Sequence, residues 1–457
     1  MHTFKLTACG LLTVLLTACG GSDSNNNNQT ENAADNKGNT PSPVYLTLDA
    51  MRSNQCGMLS PDLDARFLVH DSDGNILSEH KTDSNGHLNI EWSEANQHIT
   101  QLTYTEPNDQ SAGVKVDTYL NVTAGDLGKK VYYIDNDIGC ECNEVQIDLS
   151  ELHNSGDFRF VDFAANSNIM SVFLSPASQH SESKVNWCAD VKTDLILIDN
   201  NGFSTHVAQV LFSPVDNQTL TLSDFSEGIE VNITPPTDSS FMVAYTGFYQ
   251  FGNDSWNTSP NSSNHDKPIY IYPELNLTSI LYTHNYSSSS ILDSHANINI
   301  SSRQPIDDEG YTQPIELLTA DESLLPEVEH IATQMQLASD TVDFDFSAYD
   351  SNISATTLRL YDDSQFYFDS DSTWSIFAGR AGTIPALKLP QDIQAKFDAI
   401  EHKKMNVSLQ KIDRYLSLQE WRAQVATESR SADRANELIY QQGQSIRIDF
   451  ALTQPSE

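Results

Sequence analysis

Between Phe67 and Ile90 the chain alternates short apolar runs with Asp-Gly and Asn-Gly turns, and no other feature constrains its fold as tightly. Phe67-Leu68-Val69 runs into Asp71-Ser72-Asp73-Gly74-Asn75, then Ile76-Leu77, then Thr82-Asp83-Ser84-Asn85-Gly86, then the alternating His87-Leu88-Asn89-Ile90. Turn pairs that accept left-handed backbone, set between runs of period two, signal β-hairpins. The punctuation recurs where Asp194-Leu195-Ile196-Leu197-Ile198 meets Asp199-Asn200-Asn201-Gly202, and Thr219-Leu220-Thr221-Leu222 alternates cleanly. These patterns predict a mainly β protein of tandem β-sandwich modules, with a mixed, β-rich C-terminal domain carrying a few helices.

The expected organisation is a sandwich over 44–142, a second over 143–235 ending at Pro235-Pro236, and a β region with a long polar loop over 236–302. A linker or helix over 303–340 and the mixed domain over 341–457 follow. Within the linker, Val328, Ile331, Ala332 and Met335 fit a helix, while Ile331, Thr333, Met335 and Leu337 fit a strand. In the last domain, Ile393, Phe397 and Ile400 share a helical face behind Pro390, and Ser417-x-x-Glu420 is a capping box. The first module, a strand ending in Asp-x-Asp-Gly followed by Thr82-Asp83-x-x-Gly86 and an alternating strand, resembles the carboxypeptidase-regulatory and transthyretin-like sandwiches. That resemblance implies an Ig-like or transthyretin-like fold and a non-catalytic spacer or adhesion role.

At the other extreme of composition, Lys5 precedes an apolar run through Leu11, Leu12, Val14, Leu15 and Leu16, which ends in Leu16-Thr17-Ala18-Cys19-Gly20. This resembles a bacterial lipoprotein signal, which implies a signal peptide over 1–18, cleavage before Cys19 and acylation of its thiol. The run is well short of the roughly 20 residues a membrane-spanning helix needs. Gly20, where an Asp is the inner-membrane retention signal of that family, implies an outer-membrane anchor on the periplasmic or cell-surface face. Residues 19–43, rich in Gly, Ser and Asn, read as a disordered tether with a reach of roughly 27 Å.

Charge and cysteines narrow the chemistry further. With 63 acidic against 25 basic residues, the formal charge is −38, a field that repels nucleic acid and anionic lipid. Nucleic acid is therefore not an expected partner, whereas the lipid membrane, through acylated Cys19, and a glycan or protein are. Cys56, Cys140, Cys142 and Cys188 are expected to form disulfides in an oxidising compartment. Cys140 and Cys142 share one face of an extended strand with poor geometry for bonding each other, so one is expected to bond Cys56 and the other Cys188.

No Gly-x-Ser-x-Gly elbow, His-Glu-x-x-His helix or phosphate-binding Gly-rich loop occurs in the sequence. Ser181-x-x-Lys184 has the spacing of a serine–lysine pair but the polar surroundings of an exposed loop. Asp71-x-Asp73 opens like a calcium loop, then places Ile76 at the glycine position and Thr82 at the bidentate glutamate position. Asp362, Asp363, Asp369 and Asp371 flank a strand-like segment, too far apart to share one ion. No cofactor is implied. The best recognition candidate is the polar stretch Gly252 to Lys267, where Trp256 stands beside Asp254 and Asn257 and pairs a flat apolar face with hydrogen-bonding groups. The expected function is a non-catalytic binding or structural role in the envelope. The alternatives are an envelope hydrolase acting on glycan or peptide, and an accessory subunit of a secretion or transport system.

Overall fold

The computed structural model describes residues 43–457 except 55–57, 94–96, 106–112, 134–141, 166–167, 175–181, 189–191, 203, 212–217, 234–242, 252–253, 258–269, 273–277, 293, 315, 321–322, 337–340, 363–371, 401–402, 413–416, 432–442 and 453–457. Cys19, Cys56, Cys140 and three of the four acidic residues around Phe366 to Phe368 lie outside the described residues. The protein is mainly β and rich in sandwiches, as the alternation predicts.

The first sandwich is built from β1 (Tyr45–Ser53), β2 (Leu59–Pro61), β3 (Arg66–His70), β4 (Ile76–Lys81), β5 (His87–Glu91), β6 (His98–Tyr104), β7 (Val114–Tyr119) and β8 (Gly125–Tyr133). In one layer β8 pairs in parallel along one edge of β1, while β5, against Tyr45 to Asp49, and β2, against Met51 to Ser53, share its other edge; the other layer runs β7-β6-β3-β4. Leu46, Leu48, Phe67, Val69, Leu88 and Ile99 fill the space between them. The turn at Asp71–Asn75 closes the β3–β4 hairpin as expected. The Asn85-Gly86 turn does not close one, because β5 pairs with β1 and not with β4. There the chain changes layers: Ala50 donates its N–H to the Gly86 carbonyl, and a Cβ on Gly86 would lie 2.5 Å from the Ala50 oxygen. A turn dipeptide thus reports a reversal of direction without saying which strand receives it.

The next strands are β9 (Cys142–Asp148), β10 (Phe158–Ala165), β11 (Asn168–Phe173), β12 (Glu182–Cys188), β13 (Lys192–Asp199), β14 (Ser204–Leu211), β15 (Gln218–Thr219), β16 (Ser226–Glu227) and β17 (Ile229–Glu230), with helix α1 (Ser150–Ser155). Sheets β11-β10-β13-β14-β16 and β12-β9-β15 enclose Val145, Ile147, Phe163, Leu195 and Leu197. The other face of β13 and β14, carrying Ile196 and Val207, packs on Tyr272, Leu281 and Ile306. Lys184 falls in β12 rather than a loop, opposite Gln146 of β9; its amine donates to the Glu144 carboxylate.

The remaining elements are β18 (Val243–Phe251), β19 (Asp254–Asn257), β20 (Tyr270–Ile271), β21 (Thr278–Ile291), β22 (Ser294–Pro305), α2 (Leu324–Gln336), β23 (Thr341–Asp345), β24 (Ala355–Asp362), β25 (Ser372–Ala378), β26 (Ala381–Pro385), α3 (Gln391–Asp398), β27 (Lys403–Ile412), α4 (Leu418–Ser431) and β28 (Gly443–Ala451). The ambiguous stretch after Pro326 is helical: Leu324, Val328, Ile331 and Ala332 form one buried stripe. Ser417 accepts from the Glu420 N–H and so caps α4, and its hydroxyl donates to the Glu420 carboxylate. Residues 303–305 continue β22 instead of opening the linker.

A twelve-stranded sheet, β19-β18-β21-β22-β28-β27-β24-β25-β7-β6-β3-β4, joins the first sandwich to the C-terminal strands through the parallel β25–β7 pair. Cross-strand partners Ile298, Ile448, Val407, Leu358 and Ile376 form an apolar row, buried against α2 and the β23–β26 pair. A slip of one residue would turn that row to the opposite face, so burial pins the register.

Candidate functional site

One residue along each strand from that apolar row, the opposite face of the sheet carries a polar one. Asp117 on β7 opposes Ser375 on β25, Ser375 opposes Arg359 on β24, Arg359 opposes Asn406 on β27, Asn406 opposes Asp449 on β28, and Asp449 opposes Asn297 on β22. Six strands spaced about 4.8 Å apart make a row about 24 Å long. Ser408, Arg447 and Asn299 extend it in the adjacent register. Arg359, Arg447 and Asn297 are exposed, Asp117 and Asp449 are half-buried, and Ser375 and Asn406 are buried.

The groups are held in place by one another. Asp449 accepts from Asn406 Nδ2 at 2.8 Å, from Tyr361 Oη at 3.2 Å and from Arg447 through two bonds of 2.9 Å. Burial lowers the Arg447 pKa, but the bonds to Asp449 outweigh it and the guanidinium stays above its ordinary value. Ser408 donates to the Asn406 side-chain oxygen, and Arg359 Nε donates to Ser375 Oγ at 3.2 Å.

At the β7 end, β8 and α4 supply cations and aromatic rings. Tyr119 stacks on Phe377 with centroids 4.9 Å apart; Lys130 Nζ lies 5.0 Å and the Arg422 guanidinium 5.8 Å from the Tyr119 ring centre. Lys115 Nζ lies 4.5 Å from the Tyr132 ring centre and the Arg52 guanidinium 5.7 Å. Burial raises the Asp117 carboxyl above its usual range, against the opposing pull of Arg359 and Lys130. Burial, helped by the like charge of Arg422, pushes the Lys130 amine down to about 8, against the opposing pull of Asp117. Lys115, Asp117 and Lys130 are crowded by protein yet half-open to solvent, whereas Arg52 and Arg422 are buried.

A separate cleft of about 470 Å³ opens between the β3–β4 turn and the β23–β26 pair, lined by Ser72, Gln97, His98, Asn121 and Thr383 among others. Its walls fit closely: a Cβ on Gly74, at φ +82°, would lie 2.9 Å from the Ala386 backbone. His98 Nδ1 accepts from the Asn121 N–H at 3.0 Å, which leaves the proton on the buried Nε2. His70, opposite it on β3, bonds the Gly74 carbonyl and Thr100 Oγ1.

Of the residues nominated from sequence, Asp254, Trp256 and Asn257 lie in β19, which pairs with β18 at the end of the twelve-stranded sheet, so part of the expected loop is a strand. β19 stands three strands from β22, which carries the Asn297 end of the polar row. Cys142 and Cys188 lie on β9 and β12. Asp71, weighed as a calcium ligand, accepts instead from the Asp73 and Asn75 N–H groups and caps the hairpin turn. Among the described residues no three His, Cys, Asp or Glu side chains gather as metal donors, and no helix is long and apolar enough to cross a membrane.

The sequence reasoning passed over the polar row. Its trace was there, in Lys115-x-Asp117-x-Tyr119, Asn297-x-Asn299-x-Ser301, Asn406-x-Ser408 and Arg447-x-Asp449, each a polar half of a period-two strand. Comparison with family models, curated proteins and solved structures finds no match.

Proposed function

We propose that this chain is a lipid-anchored envelope protein, held to the outer membrane through acylated Cys19, whose folded body binds a glycan without transforming it. The polar row from Asp117 to Asn297 carries this reading. It sets acceptor carboxylates, donor guanidinium groups and two-way amides side by side, the mixture that a chain of hydroxyl groups requires. Arg447 and Asp449 hold each other in place, which reduces the entropy lost on binding. Tyr361 adds a ring beside the row. An extended ligand lying across these strands would meet the exposed Asn297, Arg447 and Arg359 and the half-buried Asp449.

Two experiments test the two halves. Mass spectrometry of the mature N-terminus is expected to find a chain that begins at acylated Cys19; an unmodified thiol or another start refutes the anchor. Screening the folded protein against arrayed envelope and host glycans is expected to yield saturable binding without product release. Turnover abolished by one point mutation would replace this reading with the hydrolase.

A further inference from the structure

In the second sandwich, β12 pairs antiparallel with β9 in unbroken register from Glu182 opposite Asp148 to Cys188 opposite Cys142. Cys142 and Cys188 are the last opposed pair of this ladder among the described residues. Directly opposed residues in such a ladder share a face, with Cα atoms about 4.5 to 5.5 Å apart, and both limits lie within the roughly 4.4 to 6.8 Å that a disulfide spans. The sequence leaves open which member of the Cys140–Cys142 pair meets Cys188. The register favours Cys142, the residue that stands directly opposite Cys188.

We propose that Cys142 and Cys188 form a disulfide that fastens β12, an edge strand among the described residues of the sheet β12-β9-β15, to β9. By elimination Cys56 and Cys140 are left to pair with each other. The reaction is thiol–disulfide exchange: two thiols lose two protons and two electrons as the S–S bond forms, and one molecule of a disulfide oxidant is reduced to two thiols. An edge strand exposes unpaired backbone groups to other chains, and a covalent tie keeps it in its sheet. In the cell the bond needs an oxidising compartment, and to that extent it rests on the export reading above.

The test oxidises the reduced, full-length protein in a glutathione redox buffer, then maps it without reduction. A glutamate-specific protease cuts after Glu141 and separates Cys140 from Cys142; trypsin releases the peptide Val185–Lys192. The expected product joins Cys142–Glu144 to Val185–Lys192, and a Cys140→Ser variant keeps that link. A dominant Cys140–Cys188 or Cys56–Cys142 link, or thiols at 142 and 188 that remain open to alkylation after oxidation, would overturn the pairing. Protein taken from its native envelope separates the two claims: free thiols there, with the Cys142–Cys188 link formed in the buffer, would overturn the export reading and support the pairing.

Discussion

Acid should weaken the first sandwich through His98. The ring is 3 % exposed, its Nδ1 is committed to the Asn121 N–H, and burial, helped by neighbouring His70, pushes its pKa down to about 4. In the unfolded chain the same ring titrates near about 6.5. Between those two values the unfolded chain carries the proton and the folded one does not, so stability rises with pH across the interval and is lost as pH falls from about 6.5 to about 4. At about 1.36 kcal/mol per pH unit the loss comes to about 3 kcal/mol. His70, also lowered by burial, acts in the same direction. The control is His98→Asn, whose side-chain oxygen can still accept from Asn121 but does not titrate. Denaturant unfolding of both proteins, followed by tryptophan fluorescence at intervals from pH 7.5 to 4.5, should show the wild type losing stability relative to the variant as the pH drops. A stability difference constant to within about 0.5 kcal/mol over that range would refute the assignment of a buried, neutral His98.

Arg422 donates to the Leu120 and Phe377 carbonyls from α4; Arg422→Met removes both bonds, though the Phe377 carbonyl keeps the Leu120 N–H, so chemical denaturation should show a loss of about 1 to 3 kcal/mol. Gly128 sits at φ +81° with α4 packed on it; the added Cβ of Gly128→Ala would lie 2.7 Å from Ala426 Cα and press on Ser429. That variant should lose about 1 to 3 kcal/mol in the same assay.

Those helix contacts mark the division between what the sequence discloses and what it does not. The α4 cap at Ser417 and Glu420, the buried face of α3 and the Asp71–Asn75 hairpin were all legible, because each depends on residues within a turn or two of one another. The Asn85-Gly86 turn misled because its outcome depends on β1, some 35 residues earlier. The polar row is the extreme case. Asp117, Asn297, Arg359, Ser375, Asn406 and Asp449 become neighbours only because β25 inserts beside β7 in parallel and β28 runs between β22 and β27. Alternation tells each strand which residues share a face; it does not name the strand alongside. Trp256 drew notice for a related reason, since an aromatic ring in a polar stretch is visible locally while a row shared among six strands is not.

The measurement that bears most directly on the polar row is calorimetric titration of the tightest-binding arrayed glycan into wild type, Arg359→Ala, Arg447→Ala and Trp256→Ala. Arg359 and Arg447 are exposed, so both replacements should leave the melting temperature near that of wild type. If the row binds the ligand, each arginine variant weakens affinity at least about tenfold, equivalent to about 1.4 kcal/mol, and Trp256→Ala does not. Wild-type affinity in both arginine variants, with binding lost in Trp256→Ala, would contradict the account and move the site to β19.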